Sequence, residues 1–555
     1  MHRSGPMIMG KLMALVNSLI YILIFTIIMG CLGYLAAIGI TVLGILGLLN
    51  ILRIETGFIL NSLNSILIAL GVLAVSRGIL KYIEQYTGHY VAFRLLAFIR
   101  DRVFKALRRL APGKLENKDS GKLIALITSD IELLEVFFAH TISPIVIAVL
   151  TCCTMLYIIS RYSIILAVIA LSAYIIIGIL IPWIRGKNSR QIGRDYREAV
   201  GDMNQHFLES LQGMQEIILF QYGSKRQDEI RNKTHQSEKS VKKLKGYEGK
   251  TDAITEMAIL VSSAAMLLTG LLMFKNNMIT FSGFLMVLFC LMSSYGPVVA
   301  LSSLSLNLLQ TLAGGERVLD LLEEKELVSE ISGGQNVDKY NIHLSTLNFK
   351  YRTEKVLDHI TLDIKENQIT GICGKSGSGK STLLKLIMRF YDADSGNIRI
   401  GDIPIKAINT ESLRKSMAYV TQSTYLFHDT IEKNIRIAKR DAAFEEIVAA
   451  AKKANIHDFI MSLEDGYQTK ADQWGTNFSG GERQRIGMAR AFLHDAKIIL
   501  LDEPTSNIDS LNESILLNSL KEQSENKTII IVSHRESTLS IADVVYNMDK
   551  GVCMS

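Results

Sequence analysis

Residues 369–382 read ITGICGKSGSGKST, and this stretch decides the fold of the second half of the chain. Its first five residues are typical of a buried strand and Thr382–Phe390 is typical of a helix, with Gly374–Ser381 as the loop between them. The loop matches G-x-x-x-x-G-K-[ST] in the strand–loop–helix setting that a phosphate-binding loop requires. Backbone N–H groups and the positive helix end would surround phosphates, while Lys380 would reach the β- and γ-phosphates and Ser381 would bind Mg²⁺. The surrounding sequence alternates between short apolar strands and helices, so it predicts an α/β domain, and the loop predicts that this domain binds phosphates.

Two adjacent acidic residues, Asp502 and Glu503, follow a second apolar strand, Lys497–Leu501. An aspartate at a strand end suits a role beside Mg²⁺, and the adjacent glutamate can orient or deprotonate the water that attacks a phosphate. The two residues could instead only cap the strand. Their occurrence together with a phosphate-binding loop favours the catalytic interpretation.

A Ser-Gly-Gly turn lies between these two motifs, in Phe478–Glu482, and the helical stretch Arg483–His494 follows it. Such a turn at a helix start is a second anion site, because its N–H groups point outward. Together with the loop and the acidic strand end, the turn resembles the ATP-binding-cassette family. In that family the turn pairs with the phosphate loop of an opposing cassette, so the resemblance implies a dimer.

The resemblance extends to four further positions. Tyr351 matches the family's aromatic residue that stacks on adenine, and Gln422 matches the Q-loop residue that touches Mg²⁺ and couples to the membrane domain. Ser506–Asp509 stands where the family's dimer-contact loop lies, and His534 matches the switch histidine that contacts the γ-phosphate. Alone, each of these residues would be interpreted as surface or core; their order and spacing favour the site.

The resemblance implies four sets of site residues. The catalytic set is Glu503, His534 and Lys380. The ATP-binding set is Tyr351, Gly374, Lys375, Ser376, Gly377, Ser378, Gly379, Lys380, Ser381, Thr382 and Gln422. The set that contacts the partner's ATP is Ser479, Gly480, Gly481, Glu482 and Asp509. The Mg²⁺ set is Ser381, Gln422 and Asp502.

Two positions depart from the family pattern. Glu482 replaces the commoner glutamine of the turn, which adds negative charge beside the bound phosphates, and Asn507 replaces the usual alanine. Neither change removes a catalytic residue. They favour a working dimer whose two ATP sites are unequal.

The first half of the chain has the composition of a membrane protein. Of its 555 residues, 48% are hydrophobic and 21% are charged, and the mean hydropathy is +0.24, which argues against a disordered chain. Hydropathy predicts about six membrane spans. They fall at Leu19–Leu49, Phe58–Leu80, Val136–Ile159, Ile164–Ile184, Ile254–Phe274 and Ile279–Leu304.

Two of the links between these spans are long, helix-compatible and rich in Lys and Arg: Lys81–Lys122 and Arg185–Lys250. Such links mark the cytoplasmic side, so both termini and the cassette are expected in the cytoplasm at the cell (inner) membrane. Near Pro112–Gly121 and Gly213–Tyr222 the links are expected to turn and to place short helices against the cassettes. This topology accounts for the net charge of +6 without a nucleic-acid partner.

The membrane half resembles one branch of the family. In order and spacing, the stretch Lys81–His89 and several later positions look like the C-type subunit of the cytochrome-bd-assembly (thiol-reductant) exporters. The later positions are Phe93-Arg94, Leu110–Pro112, Gly121, Asp130 and Ile142–Pro144. That subunit forms a heterodimer with a D-type subunit, and the branch is linked to cysteine, glutathione and haem. Glu482 also fits the C-type subunit.

His89 carries the sharpest hypothesis in the membrane half. An imidazole beside a membrane span could contact cargo or serve as an axial haem ligand. The simpler interpretation is a histidine at the helix–water boundary that bonds to Glu84 or Gln85. The residues alone favour the boundary histidine. The resemblance to the C-type branch gives some weight to the cargo or haem interpretation.

These observations predict an exporter-type helical membrane domain at 1–322, a linker at 323–340 and an α/β P-loop ATP-binding cassette at 341–555. The predicted function is ATP-driven export by one half of a dimeric transporter in the lipid bilayer, with thiol, amino-acid-like or haem-related cargo. The partner would be a second half-transporter in a heterodimer. One alternative is a homodimeric lipid flippase or multidrug exporter, and another is an ATP-gated regulatory or assembly protein without transport.

Overall fold

The computed structural model describes residue 3 and residues 5–15, 19–54, 62–116, 120–351, 353–549 and 551–554. The described chain forms two compact units. One comprises Met1–Arg108 and Lys118–Glu324, and the other comprises Arg109–Asn117 and Lys325–Ser555. The start of the span predicted from Phe58 and part of the turn predicted at Pro112–Gly121 lie outside the described residues.

The first unit is built from twelve described α-helices. Three short π-helical segments continue neighbouring helices, at Leu126–Asp130, Phe138–Ile142 and Ile176–Leu180. The α-helices are α1 (Gly5–Leu15), α2 (Ile20–Ile51), α3 (Leu63–Leu110), α4 (Ser120–Ala125), α5 (Ile131–Phe137), α6 (Ser143–Ser160), α7 (Ile164–Ile175), α8 (Ile181–Gln212), α9 (Met214–Leu219), α10 (Gly223–Lys275), α11 (Phe281–Ser293) and α12 (Tyr295–Glu323).

Within the described residues, six helices are long and apolar enough to cross a membrane, which confirms the predicted number of spans. They are Ile20–Ile51, Leu63–Leu110, Ser143–Ser160, Ile164–Arg185, Gly223–Lys275 and Phe281–Leu301. The 48 residues of α3 and the 53 residues of α10 exceed the ~20 that cross a bilayer core, so both helices continue well beyond it.

Helices α2 and α3 pack antiparallel along small residues. The Thr26 hydroxyl of α2 donates a hydrogen bond of 2.8 Å to the Thr87 hydroxyl of α3. Further along α2, a Cβ added at Gly30 would lie 3.3 Å from the Glu84 carboxyl carbon and 2.3 Å from Cδ1 of Ile147. A larger residue at position 30 would require the Ile147 side chain to shift. The first turns of the charged link predicted from Lys81 therefore lie beside the apolar helix α2.

The second unit contains ten described strands: β1 (Ile342–Tyr351), β2 (Glu354–Ile364), β3 (Ile369–Cys373), β4 (Ser395–Ile400), β5 (Ile403–Pro404), β6 (Met417–Val420), β7 (Ile498–Asp502), β8 (Thr528–Val532), β9 (Val544–Asp549) and β10 (Val552–Met554). Its described α-helices are α13 (Lys380–Ile387), α14 (Thr410–Ser416), α15 (Ile431–Arg436), α16 (Phe444–Lys453), α17 (His457–Ser462), α18 (Gly480–His494), α19 (Ser510–Gln523) and α20 (Glu536–Leu539).

The strands form two sheets. Strands β2, β1, β4 and β5 form an antiparallel sheet in that order. The larger sheet has the order β10-β9-β3-β8-β7-β6, in which all neighbours pair in parallel except β10 with β9. Every residue of β7 and β8 is buried, as expected for parallel strands covered on both faces. Because parallel strands end at one edge, residues that follow β3, β6, β7 and β8 are brought together there.

The segment before β1 bonds to this second unit. The Ile331 N–H donates to the Thr410 hydroxyl at 2.9 Å, and the Val337 N–H donates to the Ser412 hydroxyl at 3.0 Å. The later part of the predicted 323–340 linker is therefore held against α14.

Candidate nucleotide site and membrane cavity

The phosphate loop lies between β3 and the start of α13, as its sequence predicts. Gly374 has φ of +151°, and a Cβ there would lie 2.1 Å from the Met548 carbonyl oxygen. Gly379 has φ of +101° and immediately precedes α13. Both positions require glycine, since an L side chain would be strained at these backbone angles and would collide at Gly374.

Lys380 is folded against the loop backbone. Its ammonium donates hydrogen bonds of 2.8 Å to the carbonyl oxygens of Gly374 and Lys375, and the residue is 5% exposed. Burial lowers the pKa of Lys380, while the negative charges of Glu503 and Asp502 oppose this effect. The lysine is thus a buried cation held within the phosphate loop.

Ser381 and Asp502 meet although they lie far apart in the sequence. The Ser381 hydroxyl donates to one oxygen of the Asp502 carboxylate at 2.9 Å, and the Tyr419 hydroxyl donates to the other oxygen at 3.2 Å. Burial raises the pKa of Asp502, and these two hydrogen bonds partly offset the rise. A hydroxyl beside a carboxylate is the set of hard oxygen donors that fits Mg²⁺.

The described residues contain no group of three or more His, Cys, Asp or Glu side chains arranged to hold a metal ion. This finding is compatible with a Mg²⁺ site of the P-loop type. Such a site needs only one or two carboxylates, because substrate phosphates and waters supply many of the remaining ligands.

Glu503 lies at the centre of a second cluster. The Gln422 amide donates to one carboxylate oxygen at 2.9 Å, and Nδ1 of His534 lies 3.1 Å from the other oxygen. These residues follow β6, β7 and β8, so the sheet edge brings together three side chains that the sequence placed in one site. The arrangement presents a carboxylate between an amide and an imidazole, which suits the positioning of a water molecule.

The backbone at Glu503 is strained. Its φ is +50°, a left-handed conformation that is uncommon for a residue other than glycine. Two hydrogen bonds hold it: the Glu503 N–H donates to the Val532 carbonyl at 2.9 Å, and the Gln484 amide donates to the Glu503 carbonyl at 2.6 Å. Strain of this kind persists only where surrounding contacts fix it, and it is common at functional sites.

Gln484 is a site residue that the motifs did not predict. It is 1% exposed on α18, and besides its bond to Glu503 its amide oxygen accepts from the Asn507 N–H at 3.4 Å. It therefore links the candidate catalytic residue to the loop that the resemblance assigns to dimer contact. The available signal was a polar side chain on the apolar face of the helix that follows the Ser-Gly-Gly turn.

The Ser-Gly-Gly turn opens α18 through a capping box. The Ser479 hydroxyl accepts from the Glu482 N–H at 3.3 Å, and the Glu482 carboxylate accepts from the Ser479 N–H at 2.7 Å. The carboxylate expected beside bound phosphates thus has a local role, because a negative charge at a helix N-terminus is stabilising. A Cβ at Gly481 would lie 2.7 Å from the Asn507 carbonyl oxygen, so the turn and the neighbouring loop are in close contact.

Asp509 caps the next helix, α19. Its carboxylate accepts from the Asn512 N–H at 3.1 Å and from the Asn512 amide at 2.6 Å. These hydrogen bonds lower the pKa of Asp509. Of the residues predicted to contact a partner's ATP, Gly480 and Gly481 lie against Asn507, and Gln484 links Asn507 to Glu503.

Tyr351 ends β1 in a cluster of aromatic rings. It packs edge to face against Phe349, with ring centroids 4.9 Å apart, and against Tyr391, with centroids 5.2 Å apart. A second face of this cluster holds the segment Arg109–Asn117. The Tyr391 hydroxyl donates to the Gly113 carbonyl at 2.9 Å and to the Glu116 carboxylate at 3.1 Å.

The Glu116 carboxylate also pairs with the Lys385 ammonium of α13, the helix that begins at the phosphate loop. Burial raises the pKa of Tyr391, and the charge of Glu116 adds to the rise. The segment Arg109–Asn117 is thus fixed both to the nucleotide-binding helix and to the aromatic cluster. The sequence predicted a turn in this region, but it did not predict these partners.

A separate cavity of about 200 Å³ lies among helices α2, α3, α6 and α12 of the first unit. Its lining includes polar and apolar side chains: Thr26, Tyr34, Lys81, Glu84, Gln85, Gly88, His89, Ser143, Pro144, Ile147, Pro297 and Ala300. His89 stacks on Phe93 with ring centroids 5.9 Å apart, and its Nδ1 lies 3.7 Å from a carboxylate oxygen of Glu135 on α5. The contacts described for the imidazole thus extend to a different helix from the predicted neighbours Glu84 and Gln85.

Comparisons with known proteins agree with both halves. A family profile described as ABC transporter matches residues 357–506, and one described as ABC transporter transmembrane region matches residues 27–298. A Haemophilus influenzae protein described as a probable ABC transporter ATP-binding/permease protein is 52% identical over 552 residues, which cover 99% of this chain and 100% of that protein.

Two further relatives are less similar to the chain, and both have the same identity to it. The glutathione/L-cysteine transport system ATP-binding/permease protein CydC of Haemophilus influenzae is 29% identical over 86% of this chain and 84% of its own length. The ATP-dependent lipid A-core flippase of Pasteurella multocida is 29% identical over 86% of this chain and 82% of its own length. None of these descriptions mentions haem, so they give the haem hypothesis for His89 no support.

A solved structure of a bacterial Atm1-family ABC exporter with ATP bound has the same fold, with a TM-score of 0.83 and 21% identity. The match covers 98% of this chain and 95% of that one. It confirms the predicted fold class, a helical exporter-type membrane domain followed by a P-loop cassette.

Proposed function

Because the chain belongs to the ABC transporter family, as an exporter half-transporter with fused membrane and ATP-binding domains, we propose that it is the C-type half of a heterodimer that exports small thiol or amino-acid-like compounds. ATP-driven export by a dimer in the membrane is the family's activity. The assignment to the C-type branch, the second subunit and the class of cargo are the parts that we propose beyond the family's activity. The observation that carries the ATPase part is the cluster of Gln422, Glu503 and His534 at the sheet edge.

In the proposed mechanism, the cassette residues bind ATP and activate water. Lys380 and the loop N–H groups would bind the phosphates, and Ser381, Gln422 and Asp502 would hold Mg²⁺. When bound, Mg²⁺ neutralises negative charge on the phosphates. Glu503 orients the attacking water and accepts its proton, while His534 and Lys380 stabilise the charge that develops on the γ-phosphate.

The dimer completes each ATP site. Ser479–Glu482 and Asp509 of one chain contact the nucleotide held by the phosphate loop of the other chain. Closure of the two cassettes opens the membrane cavity outward, and hydrolysis separates them and resets the cavity. The capping bonds of Glu482 keep the turn in the geometry that this contact needs. The negative charge of Glu482 beside the partner's phosphates is the reason to expect two unequal ATP sites.

Coupling to the membrane helices uses two turns. The first is the segment Arg109–Asn117, held by Tyr391 and Lys385 and continuous in sequence with α3. The second is the tip around α9, where none of the helix residues is buried and Ile218, Leu219 and Phe220 are exposed. An exposed apolar tip on a long helical hairpin requires a partner, and we assign it to the cassette of the other half-transporter. Both turns, both termini and the cassette would lie in the cytoplasm.

A homodimeric lipid or multidrug exporter is the second candidate, and one observation favours it. Tyr82, Tyr86, Tyr90 and Phe93 recur every three or four residues along one face of α3, and all four are exposed. They line an open groove of about 610 Å³, which suits an apolar or amphipathic ligand. An ATP-gated regulatory protein is the third candidate; the presence of Glu503 and His534 disfavours it, because a sensor does not need to hydrolyse ATP.

The native mass of the complex, purified from its own host through a tag on this chain, tests the proposal. A one-to-one complex with a second half-transporter is expected. A complex of two identical chains would contradict the C-type assignment and favour the second candidate. ATP-dependent cargo movement in sealed vesicles separates both exporters from the regulatory protein.

A further inference from the structure

Arg535 directly follows His534 in the sequence and joins two loops of the sheet edge. Its guanidinium donates one hydrogen bond of 2.9 Å to the Thr505 carbonyl oxygen and another of 2.9 Å to the Ser506 carbonyl oxygen. These carbonyls lie at the start of the dimer-contact loop, Ser506–Asp509. Because the N–H groups of a guanidinium form a rigid planar fork, two neighbouring acceptors fix its orientation. Arg535 therefore ties the segment after β8 to the segment after β7.

A buried carboxylate lies beside this arginine. The Glu513 side chain is 9% exposed, and its Oε2 atom lies 3.7 Å from a guanidinium nitrogen of Arg535. Its Oε1 atom accepts hydrogen bonds of 3.0 Å from the Ser537 hydroxyl and 2.9 Å from the Thr538 hydroxyl. A buried carboxylate is costly unless a cation and hydrogen-bond donors surround it. Both oxygens of Glu513 thus have their partners in one short segment, Arg535–Thr538.

The two ends of the dimer-contact loop are held by that same segment. Arg535 binds the beginning of the loop, and Glu513 lies in the first turn of α19, the helix that begins where the loop ends. A buried hydrogen bond of 2.6 Å between the hydroxyls of Thr505 and Thr538 adds a further contact. The loop therefore cannot shift without moving the segment that directly follows His534.

His534 depends on its backbone for its position. The imidazole is 55% exposed, and its Nδ1 lies 3.1 Å from the Glu503 carboxylate. On the other side of the same contact, the Ser506 N–H donates to the Glu503 carbonyl at 3.3 Å. Arg535 thus closes a ring of contacts that runs from Glu503 through the dimer-contact loop to His534 and back to Glu503.

We propose that Arg535 and Glu513 form a clamp that fixes the position of His534 relative to the dimer-contact loop. Arg535 is a positioning residue, since it acts through His534 and the loop rather than on ATP. Contact of a partner cassette with the loop then sets how His534 meets the Glu503 carboxylate, so that hydrolysis depends on closure of the dimer. The inference rests on the proposed roles of Glu503 and His534, and it names the residues through which closure reaches them.

Steady-state ATP hydrolysis by the purified native complex tests the clamp. The double variant Arg535→Met/Glu513→Gln removes both charges, so no buried carboxylate is left without its cation. We expect kcat to fall about tenfold and KM for ATP to change less than about twofold, because a displaced catalytic group slows turnover while the phosphate loop is untouched. The matched control is Arg440→Met/Glu522→Gln, at two exposed residues of the same unit. Equal kcat values for the two double variants would overturn the proposal.

A double-mutant cycle shows whether the clamp acts through His534. The clamp variant should lower kcat about tenfold when His534 is present and less than about twofold in the His534→Ala background, since the residue that it positions is then absent. A general loss of stability would instead lower kcat by the same factor in both backgrounds. The same factor in both backgrounds would therefore refute the clamp.

The variant Arg535→Lys tests the contacts with the two carbonyls and keeps the charge beside Glu513. A lysine ammonium lacks the fork of donors that reaches both oxygens, so kcat should fall about threefold. Arg440→Lys is the matched control and should have the wild-type kcat. A wild-type kcat for Arg535→Lys would contradict the role of the carbonyl contacts.

The Glu503→Gln complex separates this inference from the proposed function. Loss of hydrolysis in that complex, together with a wild-type kcat for Arg535→Met/Glu513→Gln, would contradict the clamp alone. Wild-type hydrolysis by the Glu503→Gln complex would contradict the catalytic assignment on which the clamp rests.

Discussion

The sheet edge of the cassette and the cavity of the membrane unit are both polar clusters, but they are assembled differently. At the sheet edge, Asp502 ends β7, Glu503 follows it directly and Ser381 lies in the first turn of α13, so the strand ends determine where their side chains meet. In the cavity, Lys81, Glu84 and Ser143 project from the sides of long helices. A local sequence motif can therefore predict a site that is built at strand ends. It cannot predict a site whose residues come from the faces of several packed helices.

The largest expected effect concerns Glu503. Glu503→Gln should leave ATP binding intact and lower the hydrolysis rate by about 10²–10⁴-fold, the usual loss on removing a general base. ATPase turnover and nucleotide binding of the purified complex measure the two quantities. Glu525→Gln, at an exposed carboxylate in the same unit, is the control. Hydrolysis at the wild-type rate by the Glu503 variant would show that the sheet edge is not the catalytic centre.

The next prediction concerns the exposed tip beside α9. Phe220→Asp should weaken association with the partner by about 30-fold, because a charge would be forced into an apolar contact of hot-spot strength. The affinity between separately purified subunits is the measurement. Met461→Asp, at an exposed apolar residue of the cassette, should have little effect. Equal losses from both substitutions would remove the tip from the interface.

A smaller effect is expected at the segment held by the cassette. Glu116→Ala removes the partner of both Lys385 and Tyr391, so transport should fall about tenfold while ATP hydrolysis persists. The ratio of cargo moved to ATP consumed, measured in vesicles, reports this change. The control is Glu411→Ala, which breaks a solvent-exposed pair with Lys415 in the same unit. An unchanged ratio would mean that this contact does not couple the two activities.

The smallest expected effect is at Glu482. Glu482→Gln retains an acceptor for the Ser479 N–H but removes a charge at the start of α18, so the free energy of unfolding should fall by about 0.5 kcal/mol. Glu482→Ala removes the capping bond as well and should cost about 1 kcal/mol. Denaturant unfolding of the two variants measures the difference. If the alanine variant is no less stable than the glutamine variant, the capping bond has no energetic role.

The same contrast explains which features could be predicted from the sequence. The six spans were predicted because about 20 consecutive apolar residues fix the element without knowledge of its neighbours. The phosphate loop was predicted because its glycines and lysine are consecutive. The bond between Gln484 and Glu503 was not predicted, because it depends on how α18 packs beside the sheet.

The charged cavity was missed for a related reason. Hydropathy ends the second predicted span at Leu80, so Lys81 and Glu84 were assigned to the cytoplasmic link. Their position beside Gly30 depends on the antiparallel register of α2 and α3, which a Thr26–Thr87 hydrogen bond and close small-residue contacts determine. No linear pattern in the sequence encodes that register.

ATP-dependent uptake of radiolabelled L-cysteine into sealed inside-out vesicles tests the central claim most directly, since it requires both clusters to work together. Vesicles that contain the wild-type complex should accumulate the label only when MgATP is present, and vesicles with Glu503→Gln should accumulate none. Accumulation that is independent of ATP, or equal in the two preparations, would contradict the account.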